Sequence, residues 1–244
     1  MLVIGVAVAA IALSSGGSSS DSKKGDNFPA SLVGVPTNHV TGTGDATVKL
    51  DGNTATVTVD TNGLLDSAPH AMHIHAGGEG KCPPADAAHD HNGKLSISTV
   101  NGEPFYGPPV TALTKTGDIS KKSILAFPRY PHEGNIRYTR TITLPASVAS
   151  DIRKRKASII VHGIDYNNNG LYDSVLDRSE LDRHLPGEST APGLCGPLRA
   201  AKAENASRGT GTYVATLDVQ PTDVVWICHV PAALAPAREP AVGA

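Results

Sequence analysis

Three histidines stand within six residues in "HAMHIH", at positions 70, 73 and 75, and the run passes through a glycine-rich turn to a cysteine in "AGGEGKC". Neutral imidazole is the commonest metal ligand among side chains. In a strand, residues i and i+2 share a face roughly 6.6 Å apart along the chain. His73 and His75 therefore reach one ion, with Met72 and Ile74 on the opposite face. His70 has the other parity. A further histidine, His162, ends the apolar run "SIIVHG" and faces away from Ile159 and Val161. Imidazoles from two neighbouring strands make a nitrogen site; such ligands suit Cu, Zn, Fe and Ni, and a tetragonal nitrogen set suits Cu(II). His89 and His91, in the segment after Cys82, are candidates for a fourth nitrogen. The plainer alternative is a hydrogen-bonded histidine cluster with no metal.

A second donor set follows His162. In "DYNNNGLYD", Asp165, Asn167, Asn169 and Asp173 fall at positions 1, 3, 5 and 9, Gly170 at 6 and the Leu171 carbonyl at 7. This is the opening of an EF-hand-type calcium loop. Position 12, where a bidentate glutamate belongs, is Leu176; Asp177 or Glu180 stands close enough to substitute. No flanking helices are indicated, so an Asx-rich turn accounts for the pattern equally well.

These residues need a rigid frame, and the composition points to β structure. Aromatic residues make up only 4%, so a core must come from Val, Ile, Leu and Ala, while 25 Gly and 18 Pro favour short elements joined by turns. "ATVKL" and "TATVTVD" flank "DGN", a hairpin signal. "AMHIH", "KLSIST", "VTALT", "SILAF", "RYTRTITL", "ASIIVHG" and "TYVATLDV" complete a set of about nine strands. "PASVASDIRKRKA" is the one expected helix, and residues 165–193 form a long polar loop. The expected fold is an all-β, antiparallel Greek-key sandwich or barrel. "RKRK" at 153–156 reads as a solvated helix face, and Arg129, Arg137 and Arg140 as strand charges facing solvent.

Residues 2–13 are apolar, too short to span a bilayer and right for a signal-peptide core. The division expected is a signal-like segment at 1–13, a Ser/Gly-rich linker at 14–28, one domain at 29–220 and a tail at 221–244. The linker resembles the tether behind a bacterial lipoprotein signal, but Gly16 stands where the lipidated cysteine belongs. The expectation is export to the periplasm, cell surface or medium, with neither a lipid nor a transmembrane anchor. Asn205 opens a glycosylation sequon that decides nothing here. A net charge of −2 gives no argument for nucleic acid or an anionic membrane as partner. Disulfides persist outside the cytoplasm. Of the three cysteines, Cys82 and Cys195 sit in Gly/Pro-rich settings, and a bond between them would close a loop worth on the order of 4 kcal/mol. Cys228 lies in the tail.

"HAMHIHAGGEGKC" resembles the copper-site motif of Cu/Zn superoxide dismutases, in which H-x-H precedes a glycine turn and a cysteine. "SIIVHG" resembles that family's later histidine strand and "GLCGPL" its C-terminal cysteine segment, so the resemblance covers about residues 45–200. The chordin-type (CHRD) domain, a related β-sandwich, is similar in the same features. The dismutase resemblance implies copper at His73, His75 and His162, with His91 or His89 as the ligand shared with zinc and as proton donor, and a Cys82–Cys195 disulfide. It implies superoxide as the substrate. Two departures stand out. The zinc site lacks its histidines: after His91 the next is His132, and Asp118 is the sole plausible acid. The family's anion-guiding arginine is replaced by Pro192, which weakens electrostatic steering. The resemblance therefore implies a copper-only dismutase-like domain, or a non-catalytic CHRD-type module stabilised by calcium.

Overall fold

A computed structural model describes residues 26–201. Within them the chain forms ten strands: β1 (Asp26–Gly34), β2 (Thr43–Asp51), β3 (Thr54–Asn62), β4 (Met72–Ala76), β5 (His89–His91), β6 (Lys94–Ser96), β7 (Pro109–Ala112), β8 (Arg137–Thr143), β9 (Ala157–His162) and β10 (Pro192–Pro197). The helices are α1 (Thr99–Tyr106), α2 (Ala146–Arg153) and the single turn α3 (Gly187–Thr190). Eight strands make one antiparallel sheet in the order β7-β4-β9-β10-β1-β2-β3-β8, curled into a half-barrel; β5 and β6 form a separate hairpin. The all-β expectation holds, and so does the "DGN" hairpin, which joins β2 to β3 in full register from Thr43↔Asn62 to Asp51↔Thr54.

Period-2 alternation aims one set of side chains into the curl. Val48 and Leu50, Val57 and Val59, Met72 and Ile74, Ile159 and Val161, and Leu194 meet there, and α2 adds Val148, Ala149 and Ile152. The other face of the sheet divides in two. On β2, β3 and β8 it carries exposed or half-buried Thr, Lys, Asp and Arg. On β4 and β9 every residue is buried. There α1 and its neighbours cover the sheet, and Ile160, Cys195, Val35, Ile97 and Tyr106 form a second apolar cluster. Strands covered on both sides are what place histidines out of reach of water.

Three expectations need correction. "KLSIST" is a strand only to Ser96, because Ser98 and Asn101 form a reciprocal capping box that starts α1: the Asn101 N–H donates to Ser98 Oγ (3.2 Å) and the Ser98 N–H to Asn101 Oδ1 (3.0 Å). "NGEP", whose Asn, Gly and Pro are turn-type residues, lies inside that helix. "SILAF" is no strand; it runs from the last residue of one 3-10 turn, Lys121–Ser123, to the first of another, Phe127–Arg129, with Ser120 capping the first and Pro128, which has no N–H for a ladder, in the second. β1 begins at Asp26, inside the stretch read as linker, because Phe28 is buried in the core and Asp26 already pairs with Leu50. Arg140 also differs from its solvent-facing expectation: it turns inward and donates to the carbonyls of Thr114 (2.7 Å) and Gly117 (2.6 Å). The signal-like segment, most of the linker, the strand expected in "TYVATLDV", Asn205, Cys228 and the tail lie outside the described residues.

Candidate metal centre

β4 and β9 pair with His73 opposite Ile160 and His75 opposite Ser158. His162, two residues beyond Ile160, is the diagonal neighbour of His73 on the same face. The His73 and His162 rings lie 4.9 Å apart, His75 and His162 5.4 Å, and His73 and His75 5.7 Å. One nitrogen from each lies within 4.8 Å of the other two. All three residues are buried, none more than 3% exposed.

Hydrogen bonds fix the tautomers. His75 Nδ1 lies 2.8 Å from the Gly107 carbonyl and His162 Nδ1 2.7 Å from the Thr190 carbonyl. A carbonyl only accepts, so both Nδ1 atoms carry the hydrogen. In a neutral ring that leaves both Nε2 atoms with lone pairs, and these two atoms face each other at 3.3 Å. No proton stands between them. His73 has the reverse arrangement. Its Nε2 lies 3.0 Å from both the Ile124 carbonyl and Tyr130 Oη, and the Tyr130 hydroxyl in turn donates to Ser123 O (2.9 Å). His73 Nε2 is therefore the N–H, and its Nδ1 is buried without a partner. An orphaned buried acceptor costs about 1–3 kcal/mol, and two opposed lone pairs add repulsion. Nitrogens bound to one ion at roughly 2.0–2.1 Å stand about 3 Å apart, near the spacing of the His75–His162 pair. Free nitrogens gathered together while the far nitrogen of each ring is anchored are the arrangement of metal-ligating histidines.

Burial keeps these rings neutral. It lowers His75 to about 3 and His162 to about 4, and drives His73 well below the ordinary histidine value, with the neighbouring imidazoles adding repulsion for His73 and His75. Neutral imidazole is the ligand form.

The surrounding parts come from several elements. Gly107 closes α1 with φ +85°, and its Cα lies so close to Ala76 that a Cβ would strike that residue's carbonyl; this close approach brings the Gly107 carbonyl to His75. Tyr106 packs edge-on against His75 and Tyr130 edge-on against His73. A narrow apolar crevice reaches His73 and His162 past Pro109, Ile124, Leu125, Phe127 and Leu181. Sequence reasoning did not find these partners. Only the tyrosines carried a type-specific signal, since main-chain carbonyls have none. His70, set aside on parity, is buried and serves the frame: Nε2 lies 2.8 Å from Leu65 O, and Nδ1 3.1 Å from both His162 O and Tyr172 Oη.

The structure does not bring His89 or His91 into the triad. His89 is exposed. His91 places Nε2 2.8 Å from Asn101 Oδ1 and Nδ1 3.4 Å from Asp177. The Asp118 carboxylate accepts from the hydroxyls of Ser120 (2.7 Å) and Ser123 (2.6 Å). Pro192 lies directly opposite His162 in the β9–β10 ladder and is buried. Cys82 and Cys195 form the expected disulfide, spanning 113 residues.

In the candidate calcium loop, Asp165 accepts from the N–H groups of Asn169 (2.9 Å) and Gly170 (2.8 Å), and Asp173 Oδ2 from the side-chain amides of Asn167 (3.1 Å) and Asn169 (2.6 Å). The Leu171 N–H donates to Asn169 Oδ1. Glu188 of α3, which the motif did not include, accepts from the N–H groups of Tyr166 and Asp173, each at 2.6 Å. The carboxylates that read as ion ligands thus take donors from the chain itself. The loop and the triad meet through α3, where Glu188 holds the loop and Thr190 holds His162.

No protein-family model matches the chain, and no curated protein matches its sequence. Among the described residues no helix is long and apolar enough to cross a membrane.

Proposed function

We propose that the domain binds copper through His73 Nδ1, His75 Nε2 and His162 Nε2, and that it works outside the cytoplasm. The observation that carries this reading is three buried histidines that bring one nitrogen each within 4.8 Å of the others, while a nitrogen of each ring donates to a fixed acceptor. Imidazole also suits zinc; copper is favoured by the motif's resemblance to the dismutase copper strand. The Cys82–Cys195 disulfide is compatible with an oxidising compartment.

Copper held there would supply one-electron cycling, with superoxide oxidised to dioxygen in one half-reaction and reduced to hydrogen peroxide in the other. The chain's own part is positional. The carbonyls of Gly107, Thr190 and Ile124 hold the rings, and Tyr130 accepts from His73. Ile124, Leu125 and Phe127 limit entry of water. A second reading, a metal-holding module without turnover, is favoured by that apolar crevice and by Pro192 opposite His162, since neither offers a cation to a small anion.

The test is copper content and superoxide removal by the purified chain beside His73→Ala and His162→Ala. One copper per chain, lost in both variants together with superoxide removal, supports the dismutase reading. Copper without superoxide removal supports the module. Absence of copper refutes both.

A further inference from the structure

Resting on the reading of the triad as a copper site, we propose that the centre is built for Cu(I), and that it holds this monovalent ion in preference to Cu(II) or Zn(II). Imidazole serves either oxidation state, so ligand type leaves the matter open and coordination number and charge decide it.

The coordination number is low. The triad offers three nitrogens, and among the described residues no fourth His, Cys, Asp or Glu joins the group. The crevice beside His73 and His162 is lined by Pro109, Ile124, Leu125, Phe127 and Leu181, and by Thr99, Ser189 and Thr190, whose hydroxyls donate to acceptors within the chain; it has no charged side chain. Zn(II) takes four ligands and Cu(II) a tetragonal set, and the crevice offers neither a further protein donor nor a roomy polar cavity for water. A d10 monovalent ion is satisfied by three.

The charge balance points the same way. Metal-bound histidines often pass their far hydrogen to a carboxylate. Here every acceptor is neutral: Gly107 O for His75, Thr190 O for His162, Ile124 O and Tyr130 Oη for His73. No carboxylate is among the groups that perturb the three rings. The nearby acids are engaged on the neighbouring cleft, Asp177 with His91 and Glu180 with Ser98. The cost of transferring an ion into such surroundings grows with the square of its charge, so a divalent ion carries about four times the penalty of a monovalent one. Nothing in the triad's surroundings offsets the second charge.

The experiment uses the full chain under anaerobic conditions. Cu(I), Cu(II), Zn(II) and Ag(I), the last as a redox-inert monovalent probe, are titrated against chelators of known affinity. The expected result is one Cu(I) or Ag(I) per chain, with Cu(I) bound at least a hundredfold more tightly than Cu(II) or Zn(II). Each tenfold preference over Cu(II) raises the potential of the copper couple by about 59 mV. In Leu181→Glu, which puts a carboxylate on the crevice at a partly exposed position, the preference should narrow at least tenfold; an unchanged ratio would overturn the proposal. Cu(II) or Zn(II) bound through the triad as tightly as Cu(I) overturns it too, while leaving the metal site standing. Cu(I) retained by His75→Ala sits elsewhere and refutes it. Failure of every ion to bind refutes both this proposal and the copper reading.

Discussion

The two halves of the curled sheet share one core but differ on their outer faces. On β2, β3 and β8 the outer face meets water, and threonines, lysine, aspartates and arginine alternate with the core residues. On β4 and β9 the outer face is closed by α1, by the segment around Ile124 and by α3, yet His73, His75, Ser158 and His162 still alternate with the core residues there, beside Ile160. Threonine hydroxyls on the wet half are open to solvent or meet each other across strands, as Thr56 and Thr141 do at 3.0 Å. A histidine on the dry half has only the protein: His73 Nδ1 is left without a partner, and the Nε2 atoms of His75 and His162 meet only each other. The same period-2 pattern thus gives a solvated surface in one half and a ligand set in the other, and the cover decides which.

Substitutions can break this comparison at several levels. His162→Ala should lower copper affinity by more than the ~10–100-fold expected for losing an outer hydrogen-bond partner, whereas Thr58→Ala, on the wet half, should leave it unchanged; equilibrium dialysis reads both. Removing the disulfide by Cys82→Ser with Cys195→Ser should cost about 4–5 kcal/mol, measured by urea unfolding, because the bond closes a loop of 113 residues. Adjacent residues should behave differently in the two halves. Ile159→Ala and Ile160→Ala, on opposite faces of β9, should each cost about 2–5 kcal/mol. On β3, Val57→Ala should destabilise the fold while Thr58→Ala should stay within about 0.5 kcal/mol.

Acid sharpens the contrast in the metal-free protein. The triad's folded-state values lie below the ordinary 6.5 of unfolded histidine, to about 3 for His75 and about 4 for His162. Between these limits the unfolded chain binds more protons, so stability rises with pH. The contribution is fully present above pH 6.5 and is lost as pH falls towards 4 and 3, at about 1.4 kcal/mol per unit for each ring. Thermal melts from pH 7 to 4 should show this loss, and His75→Gln should reduce it. Among substitutions at the triad the smallest expected effect is that of Tyr130→Phe, which deletes one of the two acceptors at His73 Nε2 and should weaken copper binding about tenfold, at the low end of the ~10–100-fold range for such partners.

Much of the site was legible because strand parity is local. "MHIH" put His73 and His75 on one face and "IIVH" put His162 opposite its own core residues, and neither inference needed the fold. The cover was not legible. α1 was hidden in "NGEP", where a capping box overrides turn composition, and the carbonyl that anchors His73 comes from "SILAF", which reads as a strand but is turned out of the ladder by its flanking Ser120 and Pro128. His91 has the right type in a plausible place, but long-range packing gives it Asn101 and Asp177 as partners. The Asp165–Asp173 pattern shows the same limit: composition set the loop's shape, but Glu188, far along the chain, completes its hydrogen bonding.

The central claim is the set of proton positions in the triad, and the histidine ring 15N spectrum of the full chain reads them directly. Without metal, His75 and His162 should be Nδ1–H tautomers and His73 the Nε2–H tautomer, and Cu(I) should shift Nε2, Nε2 and Nδ1 respectively. A proton on either of the facing Nε2 atoms or on His73 Nδ1, or resonances unmoved by the ion, would contradict it.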